Sequence, residues 1–212
     1  DQITTARALP ALERAKRNGL DITAGTSIHH LTLNELDVAD YRTFFKLKPP
    51  LRSEDDRLAT VEALASGLID TISSMHTPQD EESKRLPYAE AASGAVALET
   101  LLPAALRLVH AGSLTLAQLF RALALKRDNR VAIMDAGGLP CIAALAEGGA
   151  TPQMREDATV ALRNMAADVE IRAPMGGVGT AFHVPGCRRG PPGHAAVVFS
   201  FFFPMCNNRQ PP

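Results

Sequence analysis

The chain changes its periodicity near Lys126, and that change limits its fold more than any other feature. Before it, segments rich in apolar and β-branched residues alternate with segments of helical spacing; after it, no strand pattern occurs. Leu9 to Asn18 has helical spacing and stops at Gly19, a residue able to take the left-handed capping conformation. Leu20 to Ile28 reads as a strand, Thr43 to Leu47 as a shorter one halted by Pro49-Pro50, and Leu68 to Met75 as a third. Ser53 opens a helix with Asp56 in the capping-box position. Its buried stripe is expected at Leu58, Val61, Leu64 and Ala65, with Gly67 at its end. Thr77 to Arg85 reads as a polar loop, followed by helices from about Gly94 to His110 and over Thr115 to Leu125. This alternation calls for an α/β fold with a parallel sheet and right-handed crossovers. Three strands cannot close a barrel, so one sheet edge is expected to stay open.

Past Lys126 the spacing predicts short helices over Asn129–Gly138 and Leu139–Ala146 and a longer one over Thr151–Ala167. Three helices of that size match one unit of an α-solenoid. From Ala173 onward the chain is rich in Gly and Pro, with Arg188, Arg189 and Arg209 but no acidic residue. No period runs through it, and it is expected to stay disordered. The expected organisation is therefore an α/β part at 1–125, a helical unit at 126–170 and a tail at 171–212.

Composition removes several functions. Of 212 residues, 22 are basic and 23 acidic, giving a net charge of −1, so no strong field invites nucleic acid or an anionic membrane. The most apolar run, Ala195 to Met205, is shorter than the roughly 20 residues a membrane span needs. Cys141, Cys187 and Cys206 stand far apart with no Cys-x-x-Cys pair, so reduced thiols in a cytoplasmic compartment are expected. The first residues lack a signal-peptide pattern and an initiator methionine, so a fragment is expected.

Each predicted strand ends in a turn that carries polar groups. In a parallel α/β barrel, chemistry sits at the carboxyl ends of the strands. His29-His30 follows the first strand and could offer a neutral imidazole to zinc; buried histidine satisfied by backbone is the simpler reading. Lys46, Lys48 and Arg52 flank the Pro-Pro turn and could hold an anionic substrate, or simply sit in solvent. Asp80-Glu81-Glu82 beside Lys84-Arg85 reads as a solvated loop with offsetting charges. Ser74 and His76 lack the orienting carboxylate and oxyanion loop of a nucleophile–base pair.

These segments resemble dihydroorotase, of the cyclic amidohydrolase family of metal-dependent TIM barrels. Ser27-Ile28-His29-His30-Leu31 looks like the Thr-Pro-His-His-Leu turn after the sixth strand. Phe45 to Arg57 looks like the Lys-Met-Asn-Pro-Pro-Leu-Arg-Ser-Glu-x-Asp-Arg segment after the seventh, and Gly67 to Gln79 like Gly-x-Ile-Asp-x-Ile-x-x-Asp-His-Ala-Pro-His at the eighth. Lys84 to Thr100, with Leu86-Pro87 and Ala97-Leu98-Glu99-Thr100, continues the likeness. The resemblance implies a partial TIM barrel over residues 1–125: the last three strand–helix units of an amidohydrolase.

The resemblance also assigns roles. His29 falls on a metal-binding histidine. Lys48 replaces a substrate-binding asparagine, Gln79 replaces the histidine that contacts the substrate carboxylate, and Arg52 stays in the substrate-binding segment. Met75 replaces the aspartate that binds metal and shuttles the proton. A thioether has no proton to exchange and cannot act as a base. The family's other metal ligands lie on the first five strands. No catalytic residue is therefore expected; zinc is the family's metal, and none is expected to bind here.

A second resemblance covers 126–168. Asn129-Arg130-Val131-Ala132-Ile133 through Ala136-Gly137-Gly138-Leu139-Pro140, with Ala161-Leu162-Arg163-Asn164-Met165-Ala166, looks like one armadillo repeat. Such repeats stack into grooves for extended peptides, and about three are needed for a stable array. Expected partners are accordingly proteins: a peptide ligand, a second copy through self-association, or aspartate carbamoyltransferase, which some non-catalytic dihydroorotase-like proteins accompany. The abrupt change of family at Lys126 also leaves a fused or mispredicted gene product open.

Overall fold

The computed structural model describes residues 2–168, so the tail expected to be disordered, with Cys187 and Cys206, lies outside the described residues. The chain divides into two compact units, with the boundary after Leu119.

The first unit is built around two short parallel strands, β1 (Gly25–Ser27) and β2 (Thr71–Ser73), paired Gly25 to Thr71, Thr26 to Ile72 and Ser27 to Ser73. Helix α1 (Leu9–Arg17) precedes β1, and α2 (Ile28–Thr32) follows it without a break. Helix α3 (Glu54–Ala65) lies on the crossover to β2. A one-turn helix α4 (Glu81–Arg85), α5 (Leu101–His110) and α6 (Leu116–Leu123) follow, α6 running across the boundary. The core consists of Ala24, Ile28, Leu31, Val61, Leu64, Ile69 and Ile72, all buried.

Polar groups fix the register. Asp70, just before β2, takes Lys16 Nζ on both carboxylate oxygens at 2.7 Å and the Ala24 amide at 2.8 Å, tying α1 and both strands to one side chain. Ser53 caps α3, its hydroxyl accepting from the Asp56 amide at 3.2 Å. Along the outer flank of β1, the Ile3 amide donates to Gly25 O at 2.9 Å, and Thr26 Oγ1 donates to Ile3 O at 2.7 Å. The residue-2-to-5 segment thus shields an edge expected to be open.

Several expectations need correction. Thr43–Phe45 is a turn of 3-10 helix rather than a strand, and β1 and β2 pair directly without it. Its groups are engaged elsewhere: Thr43 Oγ1 donates to Lys84 O at 2.5 Å, and Lys46 Nζ to Tyr88 O at 2.6 Å and Ala89 O at 2.9 Å. Phe44, 70% exposed, finds no sheet face to cover. The other two strands are shorter than their apolar runs, because Leu20 and Ile22 stand exposed outside the ladder. In α3 the buried positions are Thr60, Val61, Ala63 and Leu64; Leu58 is 51% exposed. The helix expected from Gly94 begins only at Leu101.

The second unit is α-helical among its described residues: α7 (Arg127–Asp135), α8 (Leu139–Gly148) and α9 (Pro152–Ala166) follow the end of α6. α8 and α9 pack together, burying Leu139 and Ile142 with Ala158, Ala161, Leu162 and Met165. Thr151 caps α9, its hydroxyl accepting from the Met154 amide at 3.1 Å. A buried ion pair joins Arg121 to Asp157, which is 2% exposed.

Candidate functional site

The carboxyl ends of β1 and β2 open into a cavity of about 430 Å³. His29, His30, Lys48, Met75 and Gly94 are among its lining residues, with Gln2 and Ser27 beside them. A second cavity of about 370 Å³ shares His29, Leu47 and Gly94 with the first and continues past Phe44, Phe45, Gln79, Lys84 and Val96.

The histidine pair is placed by a local device. Ser27 leaves β1 and caps α2, its hydroxyl accepting from the His29 amide at 3.1 Å, so the chain turns into a helix with both histidines buried. His30 Nε2 lies 3.2 Å from Pro50 O; a carbonyl can only accept, so Nε2 carries the proton. His30 Nδ1 and His29 Nε2 are buried without a hydrogen-bond partner. Burial first, and the neighbouring His30 second, push the pKa of His29 below the ordinary imidazole value. Burial also lowers that of His30, against the carbonyls of Pro50 and Pro49, which raise it.

Met75 sits at the end of β2 with φ at +49°, a left-handed conformation that costs an unbranched side chain about 1–2 kcal/mol. Its sulfur accepts from Gln2 Nε2 at 3.6 Å. The first cavity therefore brings together His29, Lys48 and Met75. Gln79 lines the second cavity instead, which shares His29, Leu47 and Gly94 with the first. Arg52 is in neither lining; its Nε donates to Thr4 Oγ1 at 3.4 Å. Ser74 and His76 form no nucleophile–base pair, since His76 Nδ1 accepts the amides of Ala97 (3.1 Å) and Leu98 (3.2 Å).

Sequence reasoning missed Lys84 and Gly94. Lys84 is 6% exposed, not part of a solvated loop, although its neighbour Arg85 does pair with Glu81 in solvent. Gly94 has φ at +142°, and a Cβ there would fall 2.3 Å from Thr77 O. Its position in the wall of both cavities had no signal beyond the glycine itself.

A dihydroorotase of Ehrlichia canis is 41% identical over 131 residues, 62% of this chain and 29% of that protein. One from Wolbachia sp. subsp. Brugia malayi is 44% identical over 124 residues, 58% of this chain and 28% of that protein. Over that stretch the chain is homologous to dihydroorotases. It spans less than a third of the length of these relatives. Among solved structures, the L-hydantoinase (dihydropyrimidinase) of Arthrobacter aurescens superposes with a TM-score of 0.54 at 28% identity, over 57% of this chain and 28% of that one. A D-hydantoinase superposes with a TM-score of 0.52 at 26% identity, over 58% of this chain and 29% of that one. Residues 126–167 match the Armadillo/beta-catenin-like repeat.

A zinc site takes at least three protein ligands. Among the described residues no three His, Cys, Asp or Glu side chains converge to hold a metal ion. The first cavity offers two unpartnered imidazole nitrogens, those of His29 and His30, with a thioether, hydroxyls, amide groups and the Lys48 ammonium. Among the described residues, that donor set falls short of the three ligands of a hydrolytic zinc centre. No single helix among the described residues is long and apolar enough to cross a membrane.

Proposed function

We propose that residues 1–125 are a dihydroorotase-derived partial-barrel segment that has kept the cyclic amidohydrolase scaffold and lost its reaction, hydrolysis of a cyclic amide C–N bond. The observation that carries this is Met75 at the end of β2, in the cavity that also holds His29 and Lys48. General-base catalysis needs a group that takes a proton near neutral pH within hydrogen-bond reach of the reacting water. A thioether bonded to Gln2 does neither. His29, Lys48, Arg52 and Gln79 are on this reading vestiges of metal and substrate binding. The purified chain should show no hydrolysis of dihydroorotate, with or without added zinc, and Met75→Asp alone should not restore it, because the resemblance assigns metal binding to His29 but not His30, and one such histidine with a single carboxylate falls short of a zinc site. Turnover that a chelator abolishes would overturn the proposal.

The armadillo match supports a second role beside the first, a protein-interaction module formed by α7, α8 and α9. One repeat buries its face on one side only, so its outer side is left to a neighbour. Partners captured by the full chain, and lost when residues 126–168 are deleted, would support this role.

A further inference from the structure

Lys84 is none of the vestigial residues but shares a cavity with two of them, His29 and Gln79, and its surroundings are unusual for a lysine. It is 6% exposed and lines the second cavity, whose other walls are mostly apolar: Leu33, Phe44, Phe45, Leu47 and Val96. Its ammonium donates to Thr43 O at 3.0 Å, which uses one of its three N–H groups. Among the described residues no carboxylate is paired with it or lines the cavity. Three of the unit's acids pair with other cations: Asp70 with Lys16, Glu54 with Arg57, and Glu81 with Arg85. Burial, and Lys46 nearby, lower the pKa of Lys84, the sign of a cation held without a counter-charge.

A buried charge is costly unless it is paired and hydrogen-bonded. An anion entering the cavity would supply the missing charge and two acceptors, while the phenylalanine and aliphatic walls would cover an apolar body. The volume, about 370 Å³, lies at the lower end of small-molecule sites. We propose that this cavity binds a small carboxylate with a compact apolar body, Lys84 being its charge partner. The proposal is independent of whether hydrolysis survives, because binding is read without turnover.

Titration of the full chain by calorimetry tests it, with benzoate as probe. Benzyl alcohol supplies the ring without the charge, and acetate the charge without the ring. Benzoate should bind about tenfold more tightly than either, a difference of about 1.4 kcal/mol. Lys84→Met should weaken benzoate by a similar factor. Val96→Glu, at a residue 61% exposed on the cavity wall, should do the same by placing a carboxylate near Lys84 without disturbing the core. Amide NMR signals of Phe44, Phe45 and Val96 should move on titration. Equal binding of benzoate and benzyl alcohol, undiminished benzoate binding by a folded Lys84→Met chain, or shifts confined to Gln2, Ser27 and Lys48 would each overturn the proposal. Should Lys84→Met fail to fold, Val96→Glu decides: unchanged benzoate affinity there overturns it.

Discussion

Single carboxylates carry much of the order in both units. Glu54 takes two bonds from Arg57, at 2.7 and 2.5 Å, and one from Asn34 at 2.7 Å, while Arg57 reaches Leu31 O at 2.9 Å. The bonds from Arg57, then the one from Asn34, lower the Glu54 pKa to about 2. A carboxylate depressed in the folded state adds stability that is complete above its unfolded value, about 4.3, and fades as pH falls through the folded one. Glu54→Gln should therefore lower the urea midpoint slightly at neutral pH and flatten its decline between about pH 4.3 and 2. The effect is small because Glu54 is partly exposed. Asp157 is the opposite case, buried against Arg121. Asp157→Ala removes the carboxylate that pairs with Arg121 in this buried setting and should destabilise the second unit by about 3–5 kcal/mol. An unchanged thermal midpoint would refute that.

At the level of elements, helices were legible where a named residue starts or stops them. Ser53, Thr151 and Gly19 mark ends that the structure keeps within a residue or two. Strands were not, because an apolar run reports propensity while a ladder needs a partner in register. Thr43-Phe44-Phe45 has strand composition, yet Thr43 binds Lys84 and the adjoining Lys46 binds Tyr88 and Ala89. The histidine pair and Met75 could be placed at one cavity because their strand ends are adjacent in the sheet. Lys84 could not, since a lysine among acidic residues looks solvated until the fold buries it. Removing the α3 cap by Ser53→Ala should cost about 1 kcal/mol, measured by denaturant unfolding. Gly94→Ala should cost more, because its Cβ would meet backbone rather than a side chain that can move.

For the whole chain, the balance between buried and exposed apolar surface matters most. The first unit leaves Leu36, Tyr41, Phe44, Val96 and Leu98 exposed. Contiguous apolar surface beyond a few hundred Å² marks interaction sites in soluble proteins. At about 25 cal/mol per Å², covering 400 Å² more would be worth roughly 10 kcal/mol, comparable to the stability of a domain. Sedimentation velocity should therefore show association that grows with concentration, and the Phe44→Ser, Val96→Ser double substitution should reduce it. A monomer at every concentration, folding cooperatively, would contradict this expectation.

The Ile3 segment along the flank of β1 has a further meaning for handling such a chain. Its single amide-to-Gly25 bond, with the Thr26 hydroxyl returning the contact, occupies the row where another polypeptide could dock by backbone pairing. Ile3→Pro deletes that amide and leaves Gly25 O unanswered. The bare flank would then act as a template, recruiting strands from neighbouring molecules one after another. Thioflavin fluorescence rising after a lag in the Ile3→Pro chain, and staying flat in the parent, would register that seeding; identical flat traces would mean that something other than Ile3 guards the flank.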